Sequence, residues 1–294
     1  MSDITWGILG GLGTGLTWGT ISLLVRSLSG TIAPVGITAM RSVLGGGILL
    51  LVAVVTGYGG EIARMPLWVV LTLWGSIIIA MGFGDTMFFV SMDHLGVTRA
   101  LTLTMINPLL TTVVGIGLLG EPVTPLRALG MLLVVGGLAL VISGKGEAAG
   151  ERRGSTRRGL RLVCLAAGSW AVSAIIMKPA FQAVSVMAAA AVRIPAAGVV
   201  LWLTPWTRGV PAALVRATRQ ERLRLGAICL LSAVGSLLFT TGIKYGGVAV
   251  GNVLSATSPL FTLPFEVWVL GRRASRQTAF GALVTVSGIG LMNL

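Results

Sequence analysis

The chain has 294 residues, of which 54% are apolar and only 11% are charged, and its mean hydropathy is +0.93. This composition excludes an ordinary soluble domain and indicates a protein that crosses a membrane several times. The net charge of +13 would suggest nucleic-acid binding in a soluble protein. Here the basic residues lie in loops between apolar segments, so we expect no nucleic-acid partner.

Apolar segments of about 20 residues, the length that crosses a bilayer, follow one another along the chain. Cutting the sequence at charged and Pro/Gly clusters predicts ten helices, which are Ile4–Val25, Pro34–Gly57, Leu67–Met92, Val97–Leu119, Pro122–Ser143, Leu160–Phe181, Val184–Pro205, Leu223–Ile243, Val248–Leu270 and Ser275–Leu294. A polar, Arg-rich stretch at residues 145–158 follows the fifth segment. A second polar stretch, residues 206–222, is predicted to be a loop or a surface helix.

The second half of the sequence repeats the first. The matches, at a shift of 151 residues or of 152 nearer the N-terminus, include Gly84 with Gly235, Phe88 with Phe239, Pro108 with Pro259, Trp18 with Trp170 and Arg41 with Arg193. A period of this length is too long for a solenoid and indicates two fused copies of one ancestral half. We predict a first copy at residues 1–144, a linker at 145–158 and a second copy at 159–294.

Each copy contains five predicted helices, an odd number, so the second copy enters the membrane from the opposite face. The predicted fold class is therefore an all-α polytopic membrane protein with ten transmembrane helices in two inverted five-helix repeats. Inverted repeats are common in secondary transporters, which hold the substrate near the middle of the bilayer between the repeats. Two complete copies in one chain make a monomer sufficient, although a dimer is compatible with the pattern.

Lys and Arg are distributed unequally between the two sets of loops. Sixteen lie after predicted helices 1, 3, 5, 7 and 9, and four lie on the opposite face. Because basic loops stay in the cytoplasm, residues 145–158 and 206–222 are predicted to be cytoplasmic and both termini to lie outside. The expected location is the cell membrane, which is the inner membrane in a bacterium with two membranes.

The order and duplication of several short motifs resemble the EamA-type branch of the drug/metabolite transporter superfamily. These motifs are the helix starts Asn107-Pro108 and Ser258-Pro259, the helix exit Leu118-Leu119-Gly120-Glu121 and a Gly-rich following helix in each copy. The resemblance implies a secondary transporter that exports small metabolites such as amino acids, and the direction of transport depends on the resemblance alone. The chain departs from the pattern at Arg272, which stands where the first copy has Glu121. Many relatives are also drawn with both termini in the cytoplasm, against the charge count here.

Two arginines lie inside predicted helices at equivalent positions of the two copies, Arg41 and Arg193. An arginine at this depth is costly in lipid and is expected to face a cavity or a partner. Its planar fork of donors could bind a carboxylate or other anionic group of a substrate. The alternative is a structural role, in which the side chain reaches toward the interface or binds loop carbonyl groups.

Acidic residues inside the membrane are candidates for proton coupling. Asp85 in helix 3 and Glu266 in helix 9 could exchange a proton during transport or bind a substrate ammonium group. The alternative is a fixed ion pair with Arg41 or Arg193. Glu121, just before Pro122, is predicted to accept hydrogen bonds from the free N–H groups that open helix 5.

Aromatic and small polar residues complete the predicted substrate site. Trp18, Trp170, Phe88 and Phe239 could line an apolar pocket and stack on a ring or cation. The polar candidates near the two prolines are Asn107, Asn252 and Ser258. The alternative is ordinary packing for the aromatic residues and hydrogen bonds between helices for the polar ones.

The sequence predicts a secondary active transporter that moves a small metabolite by alternating access, with the lipid bilayer and that metabolite as its partners. It contains no phosphate-binding loop, so we expect no direct use of ATP, and it offers no His-based cluster for a metal, a cofactor or catalysis. An importer or exchanger of sugars or other solutes is the nearest alternative. An intramembrane lipid-modifying enzyme and a non-transporting membrane protein are less favoured.

Overall fold

The computed structural model of the chain describes residues 3–28, 30–95, 100, 103–143, 155–268 and 275–292. Every regular element within these ranges is helical. The α-helices are α1 Asp3–Leu28, α2 Pro34–Met40, α3 Gly46–Ala53, α4 Gly59–Ala63, α5 Leu67–Ile77, α6 Thr86–Leu95, α7 Ile106–Gly117, α8 Pro125–Ser143, α9 Thr156–Ala183, α10 Val186–Trp202, α11 Val210–Arg216, α12 Arg219–Ser255, α13 Ser258–Trp268 and α14 Arg276–Met292.

The apolar helices have the length of membrane spans in most of the predicted places. Within the described residues, six helical segments are long and apolar enough to cross a membrane, and α10 with the bent segment Pro205–Arg216 gives a seventh if that pair is one span. Helix α7 is apolar but shorter. The all-helical, multi-pass class is therefore confirmed, while the number ten remains a prediction.

A bend lies at the boundary between predicted helices 8 and 9, and predicted helix 9 is itself interrupted. Predicted helices 8 and 9 join in α12, which bends at Gly247, where φ is +79°. Predicted helix 9 then breaks again between Ser255 and Ser258, so the expectation of one continuous span is wrong. Glycine is needed at position 247 because other residues rarely adopt a positive φ.

Segments of π-helix lie in predicted helices 2 and 3, and two of the three contain a charged residue. They are Arg41–Gly45, Val54–Tyr58 and Ile78–Asp85. A π-helical turn inserts an extra residue into the helix and reorients the side chains that follow, and such turns are frequent at functional sites. Arg41 begins one of these segments and Asp85 ends another, and hydropathy alone did not predict either segment.

Side-chain caps fix where two of the second copy's helices begin. The Thr218 hydroxyl accepts a hydrogen bond from the Glu221 backbone N–H at 3.3 Å, and the Glu221 carboxylate accepts one from the Thr218 N–H at 2.8 Å. This reciprocal capping box satisfies N–H groups that the helix cannot. At the start of α10, the Ser185 hydroxyl accepts from the Ala188 N–H at 3.2 Å.

Glycine contacts hold the helices close together. A Cβ on Gly10 would lie 2.6 Å from the Gly242 backbone nitrogen, so α1 packs backbone to backbone against α12. In α8 and α14, a Cβ on Gly130 would lie 2.7 Å from the Gly288 carbonyl oxygen, and one on Gly137 would lie 2.7 Å from that of Gly281. Such close approach of small residues is the usual way that helices associate in lipid. Because Gly130 meets Gly288 and Gly137 meets Gly281, α8 and α14 run antiparallel.

Candidate functional site

Two aromatic pairs lie between the two halves of the bundle, and each pair takes one ring from each copy. The Phe88 and Trp170 rings meet edge to face with centroids 5.3 Å apart, and the Trp18 and Phe239 rings are tilted with centroids also 5.3 Å apart. Each pair joins a helix of the first copy to a helix of the second. The two pairs are equivalent under the internal repeat, so the predicted aromatic residues do come together, as two separate pairs.

Glycines in the neighbouring helices make room for the two tryptophans. A Cβ on Gly84 would lie 2.7 Å from Trp170 Nε1, and a Cβ on Gly235 would lie 2.7 Å from the hydroxyl oxygen of Thr17, next to Trp18. A side chain at either position would displace the residues around the indole ring. The glycines of the repeat therefore support the position of the aromatic pairs.

The Asp85 carboxylate accepts a hydrogen bond from one of the two tryptophans, Trp170. Trp170 Nε1 donates hydrogen bonds to Asp85 Oδ1 at 3.0 Å and to the Ala80 carbonyl oxygen at 3.2 Å. Arg41 lies within electrostatic range of Asp85. The structure thus groups Arg41, Asp85, Phe88 and Trp170 into one cluster, which we call the first-copy cluster.

Arg193 occupies a different environment. Its side chain is buried, with 5% exposure, and it donates hydrogen bonds to the hydroxyl oxygens of Ser76 at 3.1 Å and Ser173 at 3.4 Å. The guanidinium carbon lies 5.8 Å from the centroid of the Phe239 ring, within the range of a cation–π interaction. Within the described residues, no acidic group forms an ion pair with it. Trp18, Phe239 and Arg193 form the second-copy cluster.

The polar candidates near the prolines form a contact between helices. Asn252 Nδ2 donates to Asn107 Oδ1 at 3.3 Å and to the Thr111 hydroxyl at 3.0 Å, which links α12 to α7. Ser258 begins α13, and its carbonyl oxygen would be 3.0 Å from a Cβ on Gly19 of α1. Within the described residues, no hydrogen bond or ion pair joins these three candidates to either aromatic cluster. The side chain of Glu266, the second predicted proton-coupling residue, lies outside what the structure describes.

Glu121 caps a helix of the other copy, not helix 5 as predicted. Its carboxylate accepts hydrogen bonds from the backbone N–H groups of Val248 at 2.6 Å and Ala249 at 3.0 Å, and it forms an ion pair with Lys178. The bend at Gly247 exposes these N–H groups by interrupting α12, so they need an acceptor. The sequence signal that was missed is Lys178 itself, a charged residue near the end of an apolar helix.

Two further contacts lie at the same end of the bundle, and the first of them joins the two copies. Glu61 Oε1 accepts from the Ser185 N–H at 2.6 Å, and Lys244 Nζ donates to the Val184 carbonyl oxygen at 2.6 Å. Beneath them lies an apolar layer in which Met177 and Phe181 are fully buried. We call this layer and the bonds of Glu121, Lys178, Glu61 and Lys244 the closed end.

The comparisons with known proteins agree with this fold. Residues 5–143 and 157–294 each match the EamA-like transporter family. A crystal structure, one of 25 matching solved chains, has a TM-score of 0.78 and 20% identity, covering 98% of this chain and 97% of the other. At that identity the likeness shows the fold alone. No curated protein matches the chain.

The helical fold and the family match define a multi-pass membrane protein of the transporter class. The chain belongs to the EamA-like transporter family, and so to the drug/metabolite transporter superfamily, as the sequence predicted.

Proposed function

We propose that the protein is a secondary active transporter that moves a small amphiphilic metabolite, such as an amino acid, out of the cell by alternating access. The observation that carries the proposal is the pair of arginine–aromatic clusters at equivalent positions of the two copies. Arg193 is buried at 5% exposure, and a charged residue inside a membrane bundle faces a partner or a transport pathway. The aromatic rings beside it supply an apolar surface for the rest of the substrate.

The closed end supports alternating access. Glu121 of the first copy is bonded to Lys178, Val248 and Ala249 of the second, so this end cannot open while the bonds remain. The crosswise glycine contacts of α8 with α14 support an in-plane two-fold relation between the copies, because equivalent residues exchange partners across such an axis. Rocking of one copy against the other would then expose the site to each side in turn.

The proposed orientation follows from the charge distribution. Residues 145–158 and 206–222 are cytoplasmic, both termini are outside, and the closed end faces outward. In this arrangement the site would open first to the cytoplasm, as an exporter of metabolites requires.

Counterflow in proteoliposomes tests the proposal. Vesicles loaded with one unlabelled amino acid at a time, across a panel, should accumulate the labelled form of the transported compound. Arg193→Ala should abolish accumulation, whereas Arg64→Ala should not, because Arg64 is an exposed residue at the end of a helix. Accumulation of sugars but not amino acids would favour the alternative substrate class, and equal counterflow by Arg193→Ala would contradict the proposed site.

Proton coupling through Asp85 is a separate proposal. Asp85 accepts a hydrogen bond from Trp170 and lies in electrostatic range of Arg41, so a change in its protonation would alter both interactions. We expect Asp85→Asn to retain counterflow but to lose uphill transport driven by a pH gradient. Uphill transport that survives in Asp85→Asn would exclude this residue as the proton carrier.

A further inference from the structure

The two copies place different groups at one equivalent position. The shift that matches Gly84 with Gly235 and Phe88 with Phe239 also matches Asp85 with Ser236. The first-copy cluster therefore has a carboxylate where the second-copy cluster has a hydroxyl. Since Arg41 and Arg193 are themselves equivalent, one arginine has an acid at this position and the other does not.

The surroundings of Ser236 contain unsatisfied hydrogen-bonding groups. Ser236 is 6% exposed, and its hydroxyl has no hydrogen-bond partner among the residues that the structure describes. The hydroxyl of Ser232, one turn earlier and 8% exposed, has none either. Phe239 follows Ser236 by three residues, so the two lie on the same face of α12, and the Phe239 ring lies beneath the Arg193 guanidinium. Buried hydroxyls without partners are rare in folded proteins and call for a missing acceptor or donor.

The charge of Arg193 points to the same missing group. Within the described residues, its polar side-chain partners are two neutral serine hydroxyls. A buried cation without an anion is costly, and a carboxylate both neutralises it and accepts two parallel N–H bonds from its planar fork. The first copy has an acid of its own near its arginine, because Asp85 lies in electrostatic range of Arg41.

We propose that Arg193 and Ser236 bind the carboxylate of the substrate, at the position that Asp85 occupies in the first copy. The apolar part of the substrate lies against Trp18 and Phe239. The substrate class is a small carboxylate with an aromatic or aliphatic body. The binding claim is independent of flux, but its meaning as substrate recognition rests on the proposed transport function.

The test uses a pair of variants that differ only in charge. Ser236→Asp places the first copy's acid beside Arg193, and Ser236→Asn is its neutral isostere. Ser236→Asp should have a melting temperature several degrees above that of Ser236→Asn, because the new carboxylate pairs with the buried arginine. If Ser236→Asp is no more stable than Ser236→Asn, Ser236 does not face Arg193 and the proposal is wrong.

Ligand binding is measured on the purified full chain with phenylacetate and its neutral amide, phenylacetamide. Phenylacetate should raise the melting temperature of the unmodified protein, and phenylacetamide should not. Ser236→Asp should weaken phenylacetate binding by at least about 30-fold, because its own carboxylate fills the site. Equal stabilisation by the acid and the amide, no stabilisation by phenylacetate, or undiminished binding by Ser236→Asp would each overturn the carboxylate site.

Counterflow distinguishes this inference from the proposed function. Charge-dependent binding of phenylacetate without counterflow of any carboxylate would support the site and contradict transport of its ligand. Counterflow of neutral or cationic solutes, without charge-dependent binding of phenylacetate, would overturn the site and leave the transporter intact.

Discussion

Trp18 and Trp170 occupy equivalent positions in the two copies but differ in their polar contacts. The Trp170 indole N–H bonds to the Asp85 carboxylate, whereas the described residues provide no such acceptor for Trp18. Both rings pack against a phenylalanine at the same centroid distance. Comparing substitutions of Trp18 and Trp170 therefore separates the effect of the hydrogen bond from that of ring packing.

Replacing Trp170 with Phe should destabilise the protein by about 1–3 kcal/mol, because it leaves a partly buried carboxylate without its indole donor. Trp18→Phe is the matched control and should cost less, since it loses ring area but no hydrogen bond to an acid. Thermal unfolding in detergent compares the two variants. A larger loss in Trp18→Phe would show that the indole–carboxylate bond adds little.

The internal repeat indicated the arginines and aromatic residues of both clusters, because equivalent side chains in an inverted pair approach the same central region, whereas Asp85 was indicated only as an acid inside an apolar helix. The contacts of Glu121 were not predictable in the same way. Its partners, Val248 and Ala249, lie 127 and 128 residues away in the sequence, and their N–H groups are free only because the chain bends at Gly247. The local sequence favoured the nearer helix start at Pro122 as the partner of Glu121. In the folded protein its partner is the helical segment that follows the bend at Gly247.

Among the helices, α8 and α14 depend on backbone contact at particular glycines. A Cβ on Gly137 would lie 2.7 Å from the Gly281 carbonyl oxygen, whereas its neighbour Gly136 has nothing within 4 Å of that position. Gly137 thus faces the partner helix, and the adjacent Gly136 faces open space. The helix positions of both were expected from sequence, but which of them makes the contact was not.

Gly137→Ala should destabilise the protein by about 1–3 kcal/mol, because a backbone oxygen cannot move aside as a flexible side chain can. Gly136→Ala should be neutral or stabilising by up to about 1 kcal/mol, since alanine is the better helix former. Unfolding of both variants under the same conditions measures the difference. Equal effects would contradict the described contact.

Glu121 links Lys178 of α9 to the bend in α12. We expect this link to control access at the closed end. Glu121→Gln weakens the bond to Lys178 and the caps of Val248 and Ala249. It should raise labelling of a Met177→Cys reporter by an impermeant maleimide at least about tenfold, in a background without Cys164 and Cys229. Glu221→Gln, at the opposite end of α12, is the control and should leave labelling unchanged.

If Glu121→Gln did not change the labelling rate, the closed end would not depend on this ion pair. If Glu221→Gln raised the rate equally, the effect would be general loosening of the bundle.

The placement of the two ends of the bundle relative to the membrane follows from charge. Alkaline phosphatase fused after Leu294 should be active, because the C-terminus is predicted to be outside, and a green fluorescent protein fusion at the same point should be dark. Activity confined to the cytoplasmic reporter would reverse the orientation. It would then place the closed end inside and favour uptake.

For the molecule as a whole, composition and repeat predicted the helical membrane class, and the resemblance of the short duplicated motifs predicted the family. The bend at Gly247 lies at the predicted boundary between helices 8 and 9, whereas the π-helical segments were not predictable, because they occur within apolar runs of predicted helices 2 and 3. Their positions are set by packing between the copies. These irregular segments carry Arg41, Asp85 and the N–H groups that Glu121 binds.

The most direct test of alternating access is to lock the closed end and measure flux. In a background without native cysteines, Glu121→Cys and Lys178→Cys would be joined by a short reducible bis-methanethiosulfonate, with each single variant as a control for the reagent. We expect cross-linking to stop counterflow in the double variant alone, and reduction to restore it. Full counterflow in the cross-linked protein would show that the two copies need not separate at this end, which would contradict the mechanism.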